Sequence, residues 1–127
     1  MSRACLSARV TPSLLVRDLE ESLAFYALLG FHVTGRHPEG TQATWSEVQR
    51  DGAKLWLYTE PPRGTPAEPA LSGTLYLHPD SVERLAEELD GKVPFAWGLG
   101  VMPYGMREFA VQDPNGYYVA FTEPASS

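Results

Sequence analysis

Aromatic side chains are the groups in this sequence best suited to bind a small molecule. The chain has three Trp and six Tyr among its 127 residues, and each of these side chains joins an apolar ring to one polar tip. Any single ring is more often a core or interface residue. As a set, however, they favour a ligand pocket, because strand alternation turns Trp56, Tyr58 and Tyr76 to one side. The predicted ligand-binding residues are Trp45, Trp56, Tyr58, Tyr76, Trp97, Met102, Tyr104, Glu108, Tyr118 and Ala120.

Histidines and nucleophiles give less support for catalysis. The sequence has no Ser/His/Asp or Cys/His set with a readable spacing, so we predict no catalytic residue. His32 and His37 follow the first predicted helix and should lie near the surface, which leaves His78 as the histidine nearest the predicted pocket. Metal-ligating histidines normally come in converging sets. We therefore expect no metal and no cofactor, while a site that combines His78 with Glu47 or Glu108 stays open as an alternative.

Glu47 and Glu108 have two further interpretations. They could meet a positively charged ligand, or they could be ordinary exposed charges on strands, which is the commoner environment of glutamate. Arg107 precedes Glu108 in the chain, and we expect the two to pair across the sheet.

Composition and charge exclude several classes of protein. Hydrophobic residues make up 43% and charged residues 20%, as in an ordinary globular domain. The net charge is −6 and no cluster of Lys and Arg lies among the aromatic residues, so nucleic-acid binding is not supported. No apolar run approaches the roughly 20 residues that cross a bilayer, and the start lacks a secretory signal. The single cysteine, Cys5, cannot form an internal disulfide, so we expect a cytoplasmic protein without a membrane partner.

A proline-rich segment divides the chain into two halves of similar length. The stretch "TEPPRGTPAEPALSG", residues 59–73, holds four prolines and two glycines and cannot be a regular helix or a central strand. We predict one domain over residues 1–127, with a first module at about 8–59, a linker at 60–72 and a second module at about 73–124.

Each half begins with a strand and a helix. In the first half, "RVTPSLLV" has the length of a strand, and in "RDLEESLAFYALLGF" Asp18 is placed to cap a helix that ends at Gly30. In the second half, "GTLYLHP" is the strand, and Asp80 or Ser81 caps a helix that ends at Gly91.

After each helix the apolar pattern changes to a period of two, which predicts three further strands. Asp51-Gly52 and Asn115-Gly116 mark the hairpin turns before the last strand of each half. The fold class is therefore α+β: two tandem β-α-β-β-β modules form a half-open, cup-shaped mixed sheet with helices on the outside. In the last strand, the row formed by Tyr118, Ala120 and Thr122 should face the concave side.

The segment "WGLGVMPYGMREF", residues 97–109, combines Met and aromatic residues with three glycines and a proline. A mobile loop lined with Met adapts to varied ligands. An ordinary strand connection whose glycines only make bends explains the same residues equally well.

These patterns resemble the vicinal oxygen chelate superfamily, which includes glyoxalase I, extradiol dioxygenases, fosfomycin resistance enzymes and bleomycin resistance proteins. The resemblance covers about residues 8–124, and its strongest parts are "LLVRDLEESLAFYALLGF" and "FAVQDPNGYYVAFTEP". The opening "TPSLLVRDLEESLAFYALLGF" is most similar to the bleomycin resistance group. The resemblance implies a homodimer, because members of the superfamily usually complete the pocket with a second chain.

The resemblance also locates four positions at which enzymes of the superfamily hold a divalent metal with His, Glu or Gln. Here those positions are Thr11, Trp56, Thr74 and Ala120. None of them supplies an imidazole nitrogen or a carboxylate oxygen, which such metals prefer. The resemblance therefore implies a protein without metal at these positions.

The leading hypothesis is a metal-free protein that sequesters an aromatic antibiotic or metabolite, with a positive charge on the ligand as a further option. One alternative is a metal-dependent glyoxalase-like lyase, isomerase or dioxygenase whose ligands lie at other positions. A second is a metal-free enzyme that uses the tyrosines or His78 as acid and base.

Overall fold

The computed structural model describes residues 3–6, 8–61 and 67–125. The predicted linker at 60–72 therefore includes residues 62–66, which lie outside the described part. The first module contains β1 (Ser13–Leu15), α1 (Leu19–Leu28), β2 (His32–His37), β3 (Trp45–Arg50) and β4 (Ala53–Tyr58). The second module contains β5 (Thr74–Leu77), α2 (Val82–Leu89), β6 (Trp97–Val101), β7 (Met106–Gln112) and β8 (Tyr118–Pro124).

Each module forms a four-stranded mixed sheet, and the two sheets have the same topology. The strand order is β1-β4-β3-β2 in the first sheet and β5-β8-β7-β6 in the second. The first strand of each module runs parallel to the last strand, and the other neighbours are antiparallel. Neither sheet closes into a barrel. This arrangement confirms the predicted α+β class with tandem β-α-β-β-β modules.

Side-chain caps begin both helices. The Asp18 carboxylate accepts a hydrogen bond from the Glu21 backbone N–H at 3.0 Å, as the sequence predicts. Of the two candidates for α2, Ser81 is the cap, and its hydroxyl accepts from the Arg84 N–H at 3.2 Å. In the described part of the chain, no helix is long and apolar enough to cross a membrane.

One apolar core is shared by both modules. In β4, Leu55 and Leu57 turn towards it, and Val119 and Phe121 do the same in β8. The core also takes the buried stripes of the two helices, which include Leu19, Leu23, Tyr26, Leu29, Val82, Leu85, Ala86 and Leu89. Each sheet therefore has a core face, and the opposite face, called the free face below, lies outside this core.

A buried turn of the second module binds the helix of the first. The turn between β7 and β8 begins at Asp113, and one oxygen of its carboxylate accepts a hydrogen bond from the Tyr26 hydroxyl of α1 at 2.8 Å. The other oxygen accepts from the backbone N–H groups of Asn115 and Tyr117, both at 2.9 Å. Burial, followed by the charge and hydrogen bond of Asp113, raises the pKa of Tyr26, so its hydroxyl stays protonated and donates.

Asn115 and Tyr117 extend this junction to the first strand. The Asn115 side-chain oxygen accepts from the Arg17 N–H at 2.9 Å, and its amide donates to the Ser22 hydroxyl at 3.1 Å. The Tyr117 hydroxyl donates to the Leu15 carbonyl at 2.7 Å. The turn thus satisfies buried polar groups of both modules at once.

The corresponding turn of the first module makes a different junction. Arg50, beside the two-residue turn Asp51-Gly52, donates to both carboxylate oxygens of Glu88 on α2 at 2.8 and 3.0 Å, and to the Leu29 carbonyl at 2.8 Å. Gly30 has φ of +89°, and a Cβ at this position would lie 2.8 Å from the Arg50 guanidinium. Glycine is therefore required here both for the backbone conformation and for the approach of Arg50.

We expect the substitution Asp113→Ala to lower the free energy of unfolding by about 2–4 kcal/mol, because it leaves the buried Tyr26 hydroxyl and two backbone N–H groups without an acceptor. Urea denaturation followed by tryptophan fluorescence measures the change. Asp80→Ala is the matched control, since Asp80 is exposed and makes only a surface ion pair with Arg84; its effect should stay within about 0.5 kcal/mol. Equal effects of the two variants would contradict a structural role for the Asp113 junction.

Candidate functional site

The free face of the first module carries two rows of polar and aromatic side chains. The register of β3 against β4 places Trp45 opposite Tyr58, and Glu47 opposite Trp56. Core and free-face residues alternate sharply along β4. Leu57 is 0% exposed in the core, whereas its neighbour Trp56 is 38% exposed on the free face.

Glu47 orients Trp56 on this face. The Trp56 indole N–H donates to the Glu47 carboxylate at 2.8 Å, and the Thr34 hydroxyl donates to the other carboxylate oxygen at 2.7 Å. The hydrogen bond from Trp56, followed by that from Thr34, holds the pKa of Glu47 below its ordinary value. The rings of Trp45 and Trp56 meet edge to face with centroids 5.8 Å apart. The result is a fixed aromatic corner with a negative charge at its edge.

Thr34 is a member of this group that the sequence did not predict. It lies in β2 at a register shift between Val33 and Gly35. Such a bulge interrupts strict alternation, so the direction of the Thr34 side chain does not follow from counting along the strand. The local indication of this bulge in the sequence is that Thr34 precedes Gly35 within a strand.

The free face of the second module has a buried floor beneath its aromatic rings. Ala110 and Ala120 lie opposite each other on β7 and β8, and Glu108 lies opposite Thr122. All four are buried, and Glu108 is only 1% exposed. Small free-face side chains can be buried in this way only when larger neighbours cover them, and the neighbours here are Tyr76, Trp97, Tyr104 and Tyr118.

The Glu108 carboxylate is the hydrogen-bond centre of this floor. One oxygen accepts from the Tyr104 hydroxyl at 2.5 Å and from the Thr122 hydroxyl at 3.4 Å. The other oxygen accepts from the Trp97 indole N–H at 3.1 Å and from the Tyr76 hydroxyl at 3.4 Å. Four neutral donors therefore surround one buried carboxylate.

Tyr104 and Tyr76 lie at the solvent side of this network. Tyr104 is 59% exposed, and its hydroxyl lies 3.5 Å from that of Tyr76. The hydrogen bond to Glu108, followed by the contact with Tyr76, raises the pKa of Tyr104, which keeps its hydroxyl protonated as a donor. Next to them, the rings of Trp97 and Tyr118 lie 5.6 Å apart with their planes tilted by 39°.

The predicted site residues thus fall into two groups. Trp45, Trp56 and Tyr58 belong to the first free face, and the others belong to the second or to the turn beside it. The residues of the second group are Tyr76, Trp97, Met102, Tyr104, Glu108, Tyr118 and Ala120. Within one chain, no hydrogen bond or ring contact between described residues joins the two groups, so a common pocket between Trp56 and Ala120 stays a prediction for an assembly of chains.

One predicted pairing is wrong. Arg107 does not pair with Glu108 but with Glu83 on α2, at 3.1 Å. Successive residues of β7 point to opposite faces, which places Arg107 on the helix side and Glu108 on the free face.

His78 lines a cavity beside the second free face, and Tyr76 contributes to the same lining. This cavity of about 720 Å³ is formed between the Asp51-Gly52 turn and the start of α2, and its lining includes Arg50, Glu88 and Phe121. The opposite junction is filled by the longer turn from Asp113 to Gly116. The cavity therefore occurs where the shorter turn leaves a gap between the modules.

The residues of the free faces do not fit a divalent metal. Trp56 uses its indole N–H to bind Glu47, and Ala120 has no donor atom. Among the described residues, no three His, Cys, Asp or Glu side chains come close enough together to hold an ion. The pairing of His78 with Glu47 or Glu108 stays an untested alternative, and no hydrogen bond or ion pair between described residues joins them.

Comparison with known proteins supports the fold. A family model described as Glyoxalase/Bleomycin resistance protein/Dioxygenase superfamily matches residues 8–121. A search of curated proteins finds no significant match.

Solved structures with the same fold include antibiotic-binding proteins. TnmS3, described as an antibiotic binding protein from Streptomyces sp. CB03234, has 26% sequence identity and a TM-score of 0.73, with 97% of this chain and 100% of that chain covered. A bleomycin-binding protein complexed with bleomycin has 20% identity and a TM-score of 0.70, with 92% and 98% covered. TioX from Micromonospora sp. ML1 has 16% identity and a TM-score of 0.73, with 93% and 99% covered. At their identities, the last two show the fold alone.

The free-face position of Trp56 makes a testable difference to stability. We expect Trp56→Ala to change the free energy of unfolding by about 1 kcal/mol or less, because the ring is partly exposed and packs mainly on Trp45. The control is the adjacent Leu57→Ala, which removes a fully buried side chain and should cost about 2–5 kcal/mol. Chemical denaturation compares the two. If Trp56→Ala unfolded the chain, the ring would be a core residue.

Proposed function

Because the chain belongs to the glyoxalase/bleomycin resistance protein/dioxygenase superfamily, we propose that it is a metal-free binding protein that sequesters an aromatic antibiotic or metabolite. The observation that carries this proposal is the layer of partly exposed Trp and Tyr rings on the free faces, at Trp56, Tyr76, Tyr104 and Tyr118. Four large aromatic side chains left exposed on otherwise ordered strands and a turn favour a ligand surface.

The chemistry of these rings favours a flat ligand. Hydrogen bonds from Trp56 to Glu47 and from Trp97 to Glu108 fix the indole rings, so little side-chain entropy is lost when a ligand stacks on them. Stacking supplies contact area, and the polar tips at the ring edges supply direction. The two carboxylates and the net charge of −6 favour a ligand that carries positive charge.

A structural relative supports the same class of ligand. TnmS3, at 26% sequence identity, is described as an antibiotic binding protein. The present chain has the same fold with aromatic residues on its free faces. We infer stoichiometric capture in a reducing compartment such as the cytoplasm, where the exposed Cys5 stays a free thiol.

We further propose that the pocket is completed in a homodimer. Within one chain the two modules join through their core faces, so that both free faces stay open. A symmetric pair of chains can bring the first free face of one copy opposite the second free face of the other, which forms two equal pockets. Such an arrangement would place Trp56 and Ala120 in one pocket, as the resemblance implies.

Ligand capture is tested by thermal shift and calorimetry with bleomycin and a panel of flat aromatic amines. At least one compound should raise the melting temperature in a concentration-dependent way, because a ligand that binds only the folded state stabilises it by mass action. Trp56→Ala should weaken that binding by about tenfold or more. Lys54→Ala is the matched control, because Lys54 lies on the same strand and face as Trp56. This variant should keep most of the wild-type affinity. Binding that is unchanged in Trp56→Ala would remove this ring from the site.

The homodimer is tested by sedimentation equilibrium. We expect a species of twice the 14.0 kDa chain mass, and a bound aromatic ligand should strengthen the association because it contacts both copies. A chain that stays monomeric at all concentrations while binding one ligand per monomer would contradict the shared pocket.

A further inference from the structure

We propose that Glu108 is the anchor for an alkylated ammonium group of the ligand, and that Tyr104 is a movable cover that gives way to it. This inference rests on the proposed binding function and specifies which part of a ligand enters the second free face. The ligand would carry a positive charge on an alkylated nitrogen, and the side chain that moves would be that of Tyr104.

No described residue compensates the charge of Glu108. The carboxylate is 1% exposed, and among the described residues no Lys, Arg or His lies within ion-pair distance of it. Arg107, the nearest basic residue in the chain, points to the other face and binds Glu83. Buried charges in proteins are normally paired. Glu108 instead has only neutral donors, and a cation from a ligand would supply the missing counter-charge.

Aromatic side chains surround this carboxylate. Trp97, Tyr76 and Tyr104 all donate to Glu108, and Tyr118 packs against Trp97. The faces of aromatic rings carry partial negative charge and attract cations, most strongly where water is excluded. A positive group at this position is therefore favoured both by the carboxylate below and by the rings beside it.

Glu108 can accept few N–H groups from a ligand. All four acceptor positions of Glu108 are already used, two of them by long hydrogen bonds of 3.4 Å from Tyr76 and Thr122. A primary ammonium group brings three donors and a guanidinium group five, so most of them would be left without a partner at this site. A tertiary ammonium group brings one donor, which can replace one hydroxyl, while its alkyl groups contact the rings.

Tyr104 is the donor whose side chain is freest to move away, although its hydrogen bond to Glu108, at 2.5 Å, is the shortest of the four. The other three donors lie on strands of the sheet, whereas Tyr104 lies in the short turn between β6 and β7 and is 59% exposed. Gly105, the next residue, has φ of +85° and closes this turn with a hydrogen bond to the Met102 carbonyl. A side chain on a surface turn can move outward without disturbing the hydrogen bonds between the strands.

The test uses calorimetry with three probes that share one ring system: N,N-dimethyl-(2-naphthylmethyl)ammonium, 2-naphthylmethylammonium and the neutral alcohol 2-naphthylmethanol. The wild-type protein should bind the dimethylated cation about tenfold more tightly than the alcohol, and more tightly than the primary amine. Glu108→Gln should abolish this preference for the cation. Glu87→Gln is the matched control, because it removes the same charge from an exposed position on α2, which lies on the core side of this sheet; it should keep the preference.

A second variant tests the cover and guards against misfolding of Glu108→Gln. Tyr104→Phe removes the hydroxyl that the cation must displace, so it should bind the dimethylated probe at least as tightly as wild type. A purely structural hydroxyl would instead weaken binding when it is removed. Circular dichroism confirms that each variant is folded.

The outcomes separate this inference from the proposed function. Equal binding of the cation and the alcohol, or an unchanged preference in Glu108→Gln, would overturn the inference and leave aromatic capture intact. Absence of binding by all three probes, together with no response to the aromatic panel, would overturn both.

Discussion

The shared apolar core is the constraint on which the rest of the structure depends. Both modules bury the helix side of their sheets in it, so strand alternation turns every second residue to the opposite face. Trp56 lies on the free face because its neighbours Leu55 and Leu57 are in the core. The buried Asp113 turn then fixes the two modules relative to each other through Tyr26. The aromatic faces are therefore a consequence of how the core is built, and any ligand or partner chain has to approach from the sides that the core leaves open.

Local signals were sufficient to predict most of the fold. The cap at Asp18, the positive-φ stops at Gly30 and Gly91 and the period-two strands all depend on near neighbours in the chain, and the structure has each of them. What could not be predicted depends on contacts that are distant in sequence. Nothing near Asp113 indicates that it binds Tyr26, because the partners are 87 positions apart. The cavity beside the Asp51-Gly52 turn could not be predicted either, because it lies between elements that come together only in the folded chain.

Strand alternation indicated which predicted side chains share a face, but not their environments. Glu47 and Glu108 appeared equivalent, since each is a glutamate on a strand near a tryptophan, and each indeed accepts an indole N–H. Glu47, however, is bound by Thr34 from a bulged edge strand and stays partly open to water. Glu108 lies on the equivalent strand of the second sheet, but beneath tyrosines from β5 and from the turn after β6, and it is almost completely buried. Its burial depends on which side chains cover it from other elements, and a single sequence does not contain that information in its local pattern.

The difference in burial between Glu47 and Glu108 bears on why an alanine stands at position 120. In the resemblance to metal enzymes, that position supplies a ligand, yet here it lies opposite Ala110 in a floor covered by rings. The acidic side chain on this face is instead that of Glu108, which lies opposite Thr122. Thr122 comes two residues after Ala120 in β8 and points to the same face. A carboxylate at position 120 as well would bring two like charges into one buried floor, where each would raise the cost of the other. With alanine at both central positions, the rings can approach the sheet closely above a single carboxylate, that of Glu108. In the metal enzymes that the chain resembles, this position holds a metal ligand. In this protein its small side chain instead leaves room for the aromatic rings to pack on the sheet.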